Sequence, residues 1–94
     1  MTVDPPPARA FILSVQDDDQ QATLLFIDQY QRLHYGLSPT YEEIGLEFGI
    51  CRMSARGRVQ TLWRRGFLRT RARVRRSIVL TGKGRRTVAE ADSL

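Results

Sequence analysis

Thirteen lysines and arginines lie between Gly49 and Arg86, with no aspartate or glutamate among them. The stretch from Met1 to Phe48 holds two basic and eight acidic side chains. A half this cationic repels itself unless a polyanion lies against it. The residue types in it suit one such partner. Guanidinium groups pair with phosphate and with guanine edges, glutamine pairs with adenine edges, and serine or threonine serves either role. Between Gly49 and Thr81 stand Gln60, Ser54, Thr61 and ten arginines. Nucleic acid is the expected partner. A solvated basic face, or a patch that lies on a membrane surface, is the blander reading of the same charges.

Other chemistry is thinly represented. His34 is the only histidine and Cys51 the only cysteine. His34 falls at the end of a helical pattern, where it suits the negative end of the helix dipole better than a catalytic base. Cys51 has no second cysteine or histidine near it in sequence for a metal site. Its place before a helix, next to Arg52, can lower a thiol pKa, but a plain cysteine in a cap turn explains it as well. Asp17, Asp18 and Asp19 have no calcium-loop spacing around them and read as dipole partners at a helix start. Trp63 reads as a core-edge residue rather than a stacking platform for single strands. No enzyme, metal or cofactor is expected.

Ninety-four residues make one domain, able to bury somewhat over about 60% of its unfolded surface. No apolar run approaches the ~20 residues of a membrane span, so no membrane partner is expected. Pro5, Pro6 and Pro7 do not resemble a secretory leader. A lone cysteine suits a reducing compartment, which makes the expected location cytoplasmic, at the nucleoid.

The pattern divides into an N-terminal extension (1–16), a central domain (17–84) and a tail or short helix (85–94). Helix one is predicted from Asp17 to His34, with Ser14 as N-cap, Leu24, Ile27, Tyr30 and Leu33 buried, and Gly36 as the left-handed stop. Leu37-Ser38-Pro39 is an extended link, a place for a third short strand. Thr40-Tyr41-Glu42-Glu43 is a capping box that opens helix two, with Ile44 and Phe48 inward. Gly45 inside this helix implies a close approach by another helix, Gly49 is its left-handed stop, and Ile50 plugs the core. Helix three is predicted over Arg52–Arg65, with Ala55, Val59 and Leu62 inward. Met53, Gly57, Gln60 and Arg64 face out, flanked by Ser54, Arg56 and Thr61. Gly57 there implies either a close approach of the helix to a ligand or simple tolerance. Residues 67–71 and 77–81 form a predicted antiparallel hairpin with its tip at 72–76, where Leu68 and Ile78 or Val79 face the core and Arg69, Arg71, Arg73, Arg75 and Arg76 face out. Gly82-Lys83-Gly84 turns the chain into a last short helix, Arg85 to Ala91. The expected fold is mainly α with a small β-hairpin wing, a winged helix-turn-helix of three core helices plus wing.

Gly36-Leu37-Ser38-Pro39-Thr40-Tyr41-Glu42-Glu43-Ile44-Gly45 resembles the G-x-x-P-T-x-x-E-I-A stretch of LexA-type DNA-binding domains. The segment from Gly49 to Gly66, with Val59 and Leu62 inward, Gly66 closing helix three and Phe67-Leu68 after it, has the spacing of recognition helix plus wing in winged regulators generally. Leu80-Thr81-Gly82-Lys83-Gly84 is similar to the L-T-x-x-G at the wing end of MarR-like regulators. The resemblance covers about residues 18–84 and implies a bacterial or phage transcription regulator that binds double-stranded DNA. It implies Met53, Ser54, Arg56, Gly57 and Gln60 as base readers. Arg52, Thr61, Arg64 and the wing arginines Arg69, Arg71, Arg73, Arg75 and Arg76 are the expected backbone contacts. Arg56, Gly57 and Arg58 depart from the less basic LexA face, so a different operator is expected. The self-cleaving serine–lysine domain of LexA has no counterpart in these residues, and self-cleavage is not carried over. Residues 10–15 and the C-terminal tail are the candidate contacts for a homodimer or for the transcription machinery. The alternative function is a winged module that binds an acidic protein instead of DNA.

Overall fold

The computed structural model describes residues 15–92. The triple proline, the Ser14 cap and nearly all of the strip at 10–15 lie outside them. The described chain is mainly helical, with one small antiparallel sheet: α1 (Val15–Leu33), α2 (Tyr41–Phe48), α3 (Arg52–Arg64), β1 (Leu68–Arg69), β2 (Val79–Leu80) and α4 (Gly82–Asp92). No described helix is long and apolar enough to cross a membrane. One core serves every element. It takes Leu24 and Ile27 from α1, Ile44 from α2, Ala55, Val59 and Leu62 from α3, Phe67, Leu68, Ile78 and Leu80 from the hairpin region, and Val88 from α4. Each of these side chains larger than alanine contributes about 1.5–3 kcal/mol by leaving water.

The buried stripe of α1 differs from the expected one at its end. It runs through Gln20, Thr23, Leu24 and Ile27. Tyr30 is half-buried, and Leu33, expected inside, is 68% exposed. One turn past Ile27, Gln31 donates from Nε2 to the Ile78 carbonyl at 2.9 Å, so the helix meets the hairpin through a polar contact and then runs past the core. Its stop also comes one residue early. Tyr35 takes the left-handed conformation (φ 58°) ahead of Gly36 (φ 88°), and the Gly36 amide donates back to the Gln31 carbonyl at 2.7 Å.

The α2–α3 corner follows the sequence closely. Both halves of the capping box form: the Thr40 amide donates to Glu43 at 2.8 Å, and the Glu43 amide donates to Thr40 Oγ1 at 3.2 Å. Gly49 is left-handed (φ 67°). Gly45 is buried, but not against another helix. A Cβ there would stand 2.6 Å from the Ile50 carbonyl oxygen, because the backbone of the turn itself folds back on α2. Ile50 is half-buried at the core edge.

α3 ends in a Schellman turn. The Phe67 amide donates to Leu62 at 2.9 Å and the Gly66 amide to Trp63 at 3.0 Å, with Gly66 left-handed. The hairpin pairs Leu68 with Leu80 and Arg69 with Val79. The alternation of the pleat puts the leucines inside and leaves Arg69 and Val79 exposed. The regular pairing is shorter than expected because side chains take over from it. Ser77 Oγ accepts from the Arg71 amide at 2.9 Å and donates to the Arg71 carbonyl at 3.1 Å. The link at Leu37–Pro39 is likewise no strand. Buried Ser38 accepts the Ile78 amide on its hydroxyl at 3.2 Å, next to a proline that has no N–H to give a ladder.

The last helix begins three residues earlier than expected. Thr81 Oγ1 accepts from the Gly84 amide at 3.1 Å and donates to the Gly66 carbonyl at 2.5 Å. A Cβ at Gly84 would collide with the Phe67 carbonyl. The Thr81–Gly84 pair therefore lets the first turn of α4 seat directly on the end of α3. Lys83 completes this joint: Nζ donates to the Arg65 carbonyl at 2.8 Å and stands 4.6 Å from the Phe67 ring centroid.

Candidate nucleic-acid interface

At about 100° per residue, burying Ala55, Val59 and Leu62 turns Met53, Gly57 and Arg64 to water, with Ser54 and Arg56 exposed on either side. Met53 is 76% exposed. Gly57 has nothing within 4 Å of the position its Cβ would take, so no contact inside the described chain requires glycine there. Thr61 is half-buried and donates to the Gly57 carbonyl at 3.0 Å. Arg64 reaches that same hydroxyl at 3.5 Å.

Between α3, the hairpin loop and the start of α2 runs an open groove of about 720 Å³. One wall is the stripe Arg52, Arg56, Gln60 and Trp63; the other is the loop from Thr70 to Ile78; Thr40 to Glu42 close one end. The fold thus brings Arg52, Arg56, Gln60, Arg71, Arg73, Arg75 and Arg76 to one trough, while Met53, Ser54, Gly57, Thr61, Arg64 and Arg69 do not line it. Arg56, Arg69, Arg71, Arg73 and Arg75 are exposed, and none forms an ion pair with an acidic side chain among the described residues. Arg73 and Arg76 have positive φ, 65° and 54°, which coils the loop rather than extending it. The Ser77 clamp on Arg71 closes the loop at its base.

Three arginines have tasks that the sequence reading assigned otherwise. Arg76, expected on a phosphate, is committed inside the fold. Its two terminal nitrogens lie 2.9 and 3.0 Å from the two carboxylate oxygens of Glu43. The same guanidinium donates to the Ser38 carbonyl at 3.0 Å and the Tyr30 hydroxyl at 3.2 Å. One side chain thereby joins the loop to α1, the link and α2. The Arg76 guanidinium, with the Thr40 amide, pulls the Glu43 carboxyl down to about 2. Arg58, expected to colour the reading face, points the other way: it contacts Thr23 at 3.3 Å and Asp19 at 3.8 Å, and lies 5.1 Å from the Phe48 ring centroid. Arg52 faces Glu42, with Nε 2.9 Å from the carboxylate.

Sequence reasoning missed Tyr30, Ser38, Glu42 and Ser77. Glu43 was legible as a cap, but its second partner stands 33 residues further on. No local spacing signals such a pair.

The groups set aside in the sequence have local explanations. His34 Nδ1 donates to the Tyr30 carbonyl at 2.8 Å, one of the last acceptors of α1, and the ring stacks on Tyr30 at 3.8 Å. Cys51 Sγ lies 3.3 Å from the Ser54 hydroxyl. That contact, with the Ser54 amide, lowers the thiol's pKa. Among the described residues no three His, Cys, Asp or Glu side chains come together to hold a metal.

No protein-family model matches the chain, and no curated protein matches it significantly.

Proposed function

We propose that this chain is a winged helix-turn-helix domain that binds double-stranded DNA as a sequence-directed transcription regulator. α3 serves as the reading helix and the loop after β1 as the wing. The observation that carries the reading is the groove between them, with Arg56 on one wall and Arg71, Arg73 and Arg75 on the other, all exposed and none ion-paired to an acidic side chain among the described residues. Its two walls present different chemistry. The α3 wall offers Arg56 and Gln60, and the exposed face beside it adds Met53, Ser54 and Gly57, a mixed polar surface suited to base edges. The loop offers Arg71, Arg73 and Arg75, suited to phosphate. A strand of DNA backbone between adjacent grooves would lie in the trough, with α3 in the major groove. Gly57 fits this reading, since its bare backbone lets a base pair or sugar come close. A cytoplasmic, nucleoid-bound protein, either a homodimer on paired half-sites or a monomer recruited by the transcription machinery, accords with the same picture.

The test is a salt titration of a fluorescent duplex followed by anisotropy. If Arg64, Arg69, Arg71, Arg73 and Arg75 each cover one phosphate, affinity falls about 500-fold between about 50 and 200 mM salt, at ~0.9 logarithmic units of slope per phosphate. Absence of binding at low salt, or a flat dependence, removes the reading. The basic face would then belong to a module for acidic proteins.

A further inference from the structure

Among the described residues, Glu42 is the only acidic side chain that lines the groove. It faces Arg52, the first residue of α3, whose guanidinium also lies 5.9 Å from the Tyr41 ring centroid. Both members of the pair are more than half exposed, 61% for Arg52 and 53% for Glu42, so the pair adds little to stability. Its effect is on what Arg52 can bind. The carboxylate takes the Nε side of the guanidinium. Arg52 lines the groove, and a guanidinium engaged at Nε keeps the N–H donors of its two terminal nitrogens for a ligand. A phosphate on those donors would stand within one guanidinium's width of the Glu42 carboxylate, like charge against like. A guanine edge carries no net charge and offers O6 and N7 at the spacing the two nitrogens match.

Building on the DNA-binding reading, we propose that Arg52 reads a guanine rather than gripping a phosphate, and that Glu42 is the positioning residue that orients it and turns a phosphate away. Glu42 stays ionised for this task, since the backbone hydrogen bond at the start of α2, and then Arg52 and Arg75, lower its pKa. The cost to general affinity is the source of discrimination, because specificity is a difference between two affinities.

The experiment selects duplexes from a random-sequence pool with the full chain, then compares a selected duplex with a scrambled one. The variants are Glu42→Gln and Arg52→Ala, each checked by thermal unfolding. For Glu42→Gln the expected result is tighter binding to the scrambled duplex, with a salt slope steeper by about 0.9 as the released arginine takes a phosphate. The preference for the selected duplex narrows about 10-fold. Arg52→Ala erases a guanine preference at one position and leaves the other positions unchanged. Weaker binding of Glu42→Gln to both duplexes, or an equal loss on all sequences for Arg52→Ala, overturns the proposal while DNA binding stands. A wild-type chain that binds no duplex overturns both.

Discussion

Replacing Glu43 by glutamine isolates the contact that ties the hairpin loop to the helices. Glutamine keeps an oxygen to accept the Thr40 amide, so the cap can persist while the negative charge that faces Arg76 is lost. The carboxyl is lowered from its ordinary 4.5 to about 2 in the fold. Taken whole, at ~1.36 kcal/mol per pH unit, that is worth about 3 kcal/mol. Both side chains are one-third exposed, and water screens such pairs, which brings the expected contribution to about 1–1.5 kcal/mol. A folded carboxyl that is the stronger acid stabilises fully above its unfolded pKa and loses that contribution as pH falls through the folded value. Urea unfolding of wild type and Glu43→Gln should therefore differ by about 1–1.5 kcal/mol at pH 7. The gap should narrow below pH 4.5 and be nearly closed at about 2. A gap that persists unchanged at the acid end would refute the electrostatic account and assign the loss to packing or to the cap. Equal stability at pH 7 would show that the loop is not held through this pair.

Two glycines should respond in opposite ways. Gly84→Ala meets the Phe67 carbonyl and should destabilise by about 1–3 kcal/mol in a denaturant melt. Gly57→Ala meets nothing in the fold and should stabilise by about 0.5–1 kcal/mol while weakening the best DNA site; tighter DNA binding would count against a close approach there. Arg73→Ala combined with Arg75→Ala should weaken all duplexes and flatten the salt slope by about two, whereas an unchanged slope would take the loop out of the interface. Gln60→Ala should lose about 1–3 kcal/mol on the selected site with little change on random DNA, and uniform weakening would deny it a base.

Much of this protein was legible in order along the chain because the relevant physics is local. The capping box needs only Thr40 and Glu43 three residues apart. The inward stripe of α3 needs only Ala55, Val59 and Leu62 at helical spacing. The left-handed stops at Gly49 and Gly66 need only a residue without a Cβ. The concentration of arginine after Gly49 follows from counting. Where local rules failed, a distant partner had intervened. Leu33 keeps the period of α1 but lies beyond the core, since the hairpin takes the next turn through Gln31. The expected third strand at Leu37–Pro39 gave way to the Ser38 hydroxyl on the Ile78 amide. The start of α4 moved forward because Thr81 caps it while also holding the end of α3.

Local rules suffice for α1 to α3, for the Thr40 cap and for the separation of acidic scaffold from basic face. All of these depend on neighbours within a few residues or on composition. Which arginines are held by partners and which stay exposed depends on packing between distant segments. Arg58, Arg76 and Arg75 are alike as letters in one basic run. Packing places Arg58 against Asp19 and Phe48, and Arg76 against Glu43 and Ser38, and leaves Arg75 at the groove. An arginine's side chain is long enough to reach several partners, so its role is set by which acceptors the fold brings within about 3 Å, the length of a hydrogen bond.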